Sequence, residues 1–162
     1  MIESSHIPIN TLVESAWPWT GIIEVIARFA DGTEQRDVFH NLIVDSGRNY
    51  ARDILVGRVT GTVNINYVAL GSSNTAVSSS QTQLVSEQFR KAVTSFSAGS
   101  TGQGITTVYI ATGEATAFTI NEIGWFAQGT STANSGTMIA RVLYNLAKTP
   151  LESLQISRQD NF

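Results

Sequence analysis

The feature that most constrains this chain is a succession of short, β-branched segments separated by polar, glycine-bearing loops, with a single helix-like interruption. Residues 21–30 are rich in Ile, Val and Phe, and Asp31-Gly32 reads as a two-residue hairpin turn leading into residues 33–40. Ile23, Val25, Ala27 and Phe29 share one face of that first strand. The opposite face carries Glu24 and Arg28 but also Ile22 and Ile26, so it is half covered. Further strands are expected at residues 63–70, 89–98, 105–111, 118–127, 137–146 and 151–158, with polar loops at 71–75, 99–104 and 128–136. A parallel sheet needs crossover helices, and these are missing. The expected fold is therefore mainly β: an antiparallel β-sandwich, jelly-roll-like, with one short helix.

That helix is expected over residues 47–56, capped by Asp45 or Ser46, with Tyr50, Ile54 and Leu55 on one side and Gly57 ending it. At about ten residues it would be marginal alone and must dock on the sheet. A single helical turn is also expected around residues 82–86.

The first twenty residues read differently. Ile7, Ile9, Leu12, Val13, Trp17 and Trp19 are apolar, but Pro8 and Pro18 interrupt them and no period persists. Proline favours extended backbone and withholds a donor, so this stretch suits neither a central strand nor a helix. The expected organisation is an extended N-terminal arm over residues 1–20 and a sandwich over 21–162. The arm either packs across its own domain or lies on a neighbouring subunit. Two nearby tryptophans favour some burial.

Composition narrows the function. The 162 residues suffice for a core without disulfide or metal staples. With no cysteine, thiol nucleophiles, zinc ribbons and disulfide frameworks are excluded, and the chain would fold in a reducing compartment. Only 14% of residues are charged and the net charge is −3. Apart from Arg90-Lys91 the basic residues are scattered, so nucleic acid is not an expected partner. The N-terminus lacks the pattern of a signal peptide, and no apolar run reaches the length of a membrane span, so no membrane partner is expected.

A search for chemistry yields little. His6 lies in the arm and His40 ends a strand, two isolated positions that do not make a metal site. Glu114, Glu122 and Glu152 sit in or beside strands and are the candidates for a carboxylate pair of the glycosidase kind. Glu122 shares a predicted strand face with Phe118, Ile120 and Phe126, which places it inward. A buried carboxylate more often pairs with arginine, and Arg90 and Arg141 lie within apolar strands. Residues 99–104 lack the lysine and following helix of a phosphate loop. No catalytic, cofactor-binding or metal-binding residue is assigned, no cofactor is expected, and the chain is read as a non-enzyme. Trp125, Phe126, Tyr109 and Tyr144 are numerous aromatics for so little charge, a composition found at interface cores, although packing inside one domain accounts for Tyr109, Trp125 and Tyr144.

Several short motifs occur in order. They are Asn41-Leu-Ile-Val-Asp-Ser-Gly-Arg-Asn49, Ile65-Asn-Tyr-Val-Ala-Leu-Gly71 before a Ser/Thr-rich loop, and Leu84-Val-Ser-Glu87-Gln-Phe-Arg90. Glu122-Ile-Gly-Trp-Phe126, Gly136-Thr-Met-Ile-Ala-Arg141 and the stretch from Lys148 to Ile156 complete the series. Together, over residues 41–158, they resemble a structural domain of tailed bacteriophages labelled as tail-fibre or baseplate-associated, which is similar to small β-sandwiches that cement capsids as trimers. The resemblance implies a virion protein assembled in the host bacterial cytoplasm, a homotrimer, and partners among the major capsid protein or the tail and baseplate proteins. It carries no catalytic residues. On the physical side, Glu87, Arg90, Glu122 and Arg141 are charges among apolar neighbours, as expected of a structural ion-pair network. A domain with an extended arm suits a capsid decoration protein, and the family label points to the tail or baseplate. A host-glycan-binding module using Trp125, or a glycan-cleaving enzyme using the three glutamates, are the rival readings.

Overall fold

Ten strands form two five-stranded antiparallel sheets in the computed structural model, which describes residues 19–162. In chain order these are β1 (Thr20–Phe29), β2 (Glu34–His40), β3 (Leu42–Ile43), α1 (Asp45–Leu55), β4 (Ile65–Gly71), β5 (Glu87–Ala92), β6 (Ser95–Ala98), β7 (Gln103–Ile110), β8 (Ile120–Ala127), β9 (Thr137–Leu146) and β10 (Glu152–Asn161). The first sheet runs β2-β1-β10-β7-β6 and the second β3-β9-β8-β4-β5, so the architecture is a β-sandwich. Alternation explains the layers. Ile23, Val25 and Ala27 of β1 meet Val108, Ile110, Leu154 and Ile156 of their own sheet and Val68, Leu70, Ile123, Trp125 and Val142 of the other, all buried. Each such aliphatic side chain contributes about 1.5–3 kcal/mol on burial.

The chain changes sheets where the sequence gives no warning. Residues 89–98 read as one strand, but the segment splits: β5 belongs to the second sheet and β6 to the first. The corner is Val93-Thr94, where Val93 N–H donates to the Asn66 carbonyl (3.0 Å) and Thr94 N–H to the Thr107 carbonyl (2.8 Å). Adjacent residues thus satisfy opposite sheets, a usual way to turn a sandwich corner. Asn41 makes the second corner, leaving Gly21 for β3, whose two residues pair with β9.

Local turn chemistry also differs from expectation. The β1–β2 loop has three residues, Ala30 to Gly32, because Phe29 pairs with Thr33 and Gly32 N–H donates to the Phe29 carbonyl. The Asp31 carboxylate accepts from Thr33 N–H (2.9 Å) and Thr33 Oγ1 (2.6 Å), locking this longer turn.

The outer face of the second sheet is covered by α1 and by residues 72–86. Neither expected cap serves α1: its N-cap is Val44, and Asp45 and Ser46 are helical. Their side chains engage neighbours instead, Ser46 Oγ donating to the Met138 carbonyl (2.7 Å) and Asp45 accepting from Ser79 Oγ (3.0 Å). Asp45 in the first turn still opposes the helix dipole favourably. The far end closes with Gly57 N–H on the Ile54 carbonyl and Arg58 N–H on the Asp53 carbonyl, a Schellman motif. Tyr50 and Ile54 pack on Ile139 and Ala127, whereas Leu55 points to solvent at 87% exposure. Gly47 lets the helix sit directly on β9, since a Cβ there would fall 2.3 Å from the Ile139 carbonyl oxygen. No helical turn forms at 82–86; that stretch is irregular, and Leu84 anchors it among Val44, Ala69, Phe126 and Met138.

Candidate functional site

Glu122 lies on β8, where a bulge between Ile120 and Glu122 breaks the simple alternation. Ile120 therefore joins Ile123 and Trp125 in the core between the sheets, while Phe126 joins the cluster beneath residues 72–86. Glu122 is fully buried beneath the same irregular stretch. Its carboxylate accepts from Arg141 Nε (2.8 Å), Val85 N–H (3.1 Å) and Ser86 N–H (2.7 Å). Arg141, also fully buried, donates onward to Gln81 Oε1 (3.0 Å) and to the Thr75 carbonyl (2.9 Å). The pair thus fastens both ends of a long loop to the sheet. Gly71 leaves room for it, because a Cβ there would lie 2.4 Å from Glu122 Oε1 and 2.6 Å from the Ser86 carbonyl.

A second pair does the same for another loop. Glu87 and Arg90 on β5 form a two-pronged contact, Nε to Oε1 at 2.7 Å and Nη2 to Oε2 at 2.9 Å, with both side chains almost fully buried. Arg90 Nη1 donates to the Ser135 carbonyl (2.7 Å) and Oγ (3.0 Å), and Glu87 accepts from Asn134 N–H (3.0 Å). The guanidinium lies 4.3 Å over the Phe126 ring, a cation–π distance. Residues 129–135 are held on this frame.

Lys148, the first residue of the last motif, provides a third fastening outside the expected ion pairs. Its buried ammonium donates to the carbonyls of Thr112 (2.8 Å) and Thr149 (3.2 Å), tying the β7–β8 loop to the β9–β10 loop. Burial lowers its pKa, and the nearby Glu152 and Glu114 only partly oppose this.

One end of the sandwich is closed by a different constellation. Arg158 and Asp160 continue the inward register of Leu154 and Ile156 on β10, so both are buried, and they form a contact pair. Trp19 Nε1 donates to Asp160 Oδ1 (2.7 Å), and its ring stacks on Phe162 at 5.4 Å. The Arg158 guanidinium lies 5.8 Å from each of the Trp19 and Trp125 rings. Burial pushes its pKa down, with Asp160 pulling the other way. The period-2 run Leu154, Ile156, Arg158, Asp160 is the sequence signal that would have placed these two charges inside. Beside Trp19 an apolar groove of about 400 Å³ is lined by Tyr50, Ile54, Leu55, Ile65, Ile139 and Phe162, among others.

The remaining expected residues are dispersed. Glu114 binds Lys91 Nζ (2.5 Å) and Ala111 N–H (2.8 Å), and the hydrogen bond from Lys91 holds its carboxyl below the usual range. Burial pushes the Glu152 carboxyl up, but hydrogen bonds from Thr149 and the charge of Lys148 outweigh this and leave it lowered. Both shifts run opposite to the raised pKa of a glycosidase acid. His40 is exposed. Trp125 is buried, Tyr144 stacks on Phe39 and donates to Asp37 (2.9 Å), and Tyr109 is largely exposed, not packed inside. Ile7, Ile9, Leu12, Val13, Trp17 and His6 lie outside the described residues. Among the described residues no group of three or more His, Asp or Glu side chains is placed to hold a metal ion, and no helix is long and apolar enough to cross a membrane.

No family model matches the chain, and neither the curated proteins nor the solved structures give a match. The resemblance to phage structural domains rests on the sequence motifs alone.

Proposed function

We propose that this chain is a non-enzymatic structural protein of a tailed-phage virion, and within it a homotrimeric capsid decoration (cement) protein whose N-terminal arm binds neighbouring subunits. The supporting observation is where the buried charge goes. Glu122–Arg141 and Glu87–Arg90 are each committed to fastening a loop to the sandwich, and Lys148 to tying two loops together. Such fastenings make a rigid surface, and rigidity suits a part whose task is to be bound. Exposed apolar side chains such as Val38, Phe96 and Leu151 offer contact area on that surface. The ordered motifs favour a second reading, a tail-fibre or baseplate-associated adaptor.

The experiment is quantitative mass spectrometry of purified particles, paired with truncation of residues 1–18. The cut stops before Trp19 because that residue packs against Asp160 and Phe162. A copy number comparable with that of the major capsid protein, and loss of particle binding by a folded truncated chain, are the expected results. A small copy number set by tail symmetry would move the assignment to the adaptor. Absence from particles would end both readings.

A further inference from the structure

We propose that the apolar groove beside Trp19 is the seat of residues 12–17 of the same chain, which dock there in cis and fix the direction in which the rest of the arm leaves the domain. The inference does not depend on a role in a virion. Trp19 is itself part of the groove wall, so the preceding residues begin at its rim. That segment contains Leu12, Val13 and Trp17, and Trp17 precedes Pro18, which confines it to extended backbone. An apolar segment tethered two residues from an apolar groove has an effective concentration that a separate molecule rarely matches, on the order of millimolar for short linkers.

The groove has the character of a receiving surface. About 400 Å³ falls within the range of roughly 300–1,000 Å³ typical of pockets that enclose a ligand, enough for large side chains. Leu55 at 87%, Val56 at 61% and Phe162 at 58% exposure make an apolar cluster at and beside its rim.

The absence of cysteine makes the test direct, because the introduced thiols are the only ones the chain carries. The variant Val13→Cys/Leu55→Cys is compared with Val13→Cys/Val38→Cys in the full-length chain under dilute oxidising conditions. Val38 is exposed on the outer face of the other sheet, opposite Glu24. The six residue-to-residue steps from Val13 to Trp19 span at most about 20 Å, so an undocked segment would sample both targets. Docking predicts an intramolecular disulfide for the 13/55 pair and its loss for the 13/38 pair, read by non-reducing electrophoresis and intact mass. It also predicts increased binding of an apolar dye when residues 1–17 are removed from a chain that keeps its far-ultraviolet circular dichroism. Equal cross-linking of the two pairs would overturn the proposal. A 13/55 cross-link found only between chains would overturn it too, in favour of arm exchange with a second copy.

Discussion

Arg141→Met removes a buried cation while keeping most of the side-chain volume, and so isolates what the Glu122–Arg141 pair contributes. In the mutant, the Glu122 carboxylate stays fully buried and keeps Val85 N–H and Ser86 N–H, but it loses its one ion-pair partner among the described residues. The other groups Arg141 served suffer less. Gln81 Oε1 still accepts from Ser78 N–H, and Thr75 is exposed, so water can reach its carbonyl. The cost is therefore dominated by one uncompensated buried charge, about 3–5 kcal/mol. For a chain of this length that corresponds to a fall in Tm of roughly 6–20 °C, at about 2–4 °C per kcal/mol. Adding Glu122→Gln should restore part of the loss, because the double variant no longer buries a charge. The cycle of single and double variants should then show a coupling energy of at least about 1 kcal/mol. Urea unfolding followed by tryptophan fluorescence, to which buried Trp125 contributes, gives the stabilities, and hydrogen exchange at Val85 and Ser86 reports whether the loop has come loose. Gly71→Ala attacks the same staple sterically and should cost about 1–3 kcal/mol, while Gly113→Ala, with nothing within 4 Å, serves as control. A loss below about 1 kcal/mol for Arg141→Met, with unchanged protection at 85 and 86 and additive single variants, would refute the idea that this pair holds the loop.

Two further outcomes follow from the charges. The folded-state pKa of Glu152 is lowered, so its stabilisation is complete above the unfolded carboxyl value of about 4.3 and is lost as pH falls through the lower folded value. Glu152→Gln should flatten the decline in urea midpoint below about pH 4.3; an unchanged slope would show that Glu152 is not among the groups protonated on acid unfolding. Self-association or particle binding through the described surface should change little between about 0.01 M and 1 M salt, although the Debye length falls from about 30 Å to 3 Å over that range. A steep salt dependence, measured by sedimentation or particle binding, would contradict an interface built on apolar contact.

The periodic strands were legible because one face of each is buried and alternation leaves a trace. β9 was read at residues 137–146, which are its observed limits, and the inward face of β1 was read residue by residue. What escaped reading has a common physical cause: it is decided by partners distant in sequence. The split of residues 89–98 follows from Val93 and Thr94 finding donors' partners in opposite sheets, and no local propensity encodes that choice. The two-residue β3 exists only because β9 offers it an edge. The bulge before Glu122 likewise shifts Ile120 into the other layer while its neighbours read as strict alternation.

The chain's charges were legible only in part: Glu87, Arg90, Glu122 and Arg141 stand among apolar neighbours in the sequence and do pair in the interior, whereas the burial of Lys148, Arg158 and Asp160 leaves no such trace in their immediate neighbours. Glu122, Arg141, Lys148, Glu152, Arg158 and Asp160 are all buried, as are the side chains of Glu87 and Arg90. Burying so many ions is costly unless each finds several partners, and three of these fastenings find them in loop backbone. The alternative, apolar side chains at the same positions, would pack the sheet equally well but could not satisfy the carbonyl and N–H groups of loops that carry few backbone bonds of their own. Charge placed inside therefore specifies loop conformation more than it adds stability. That is the reason to look for this protein's work on its fixed outer surface and in the residues before Trp19, not in a cleft between the sheets.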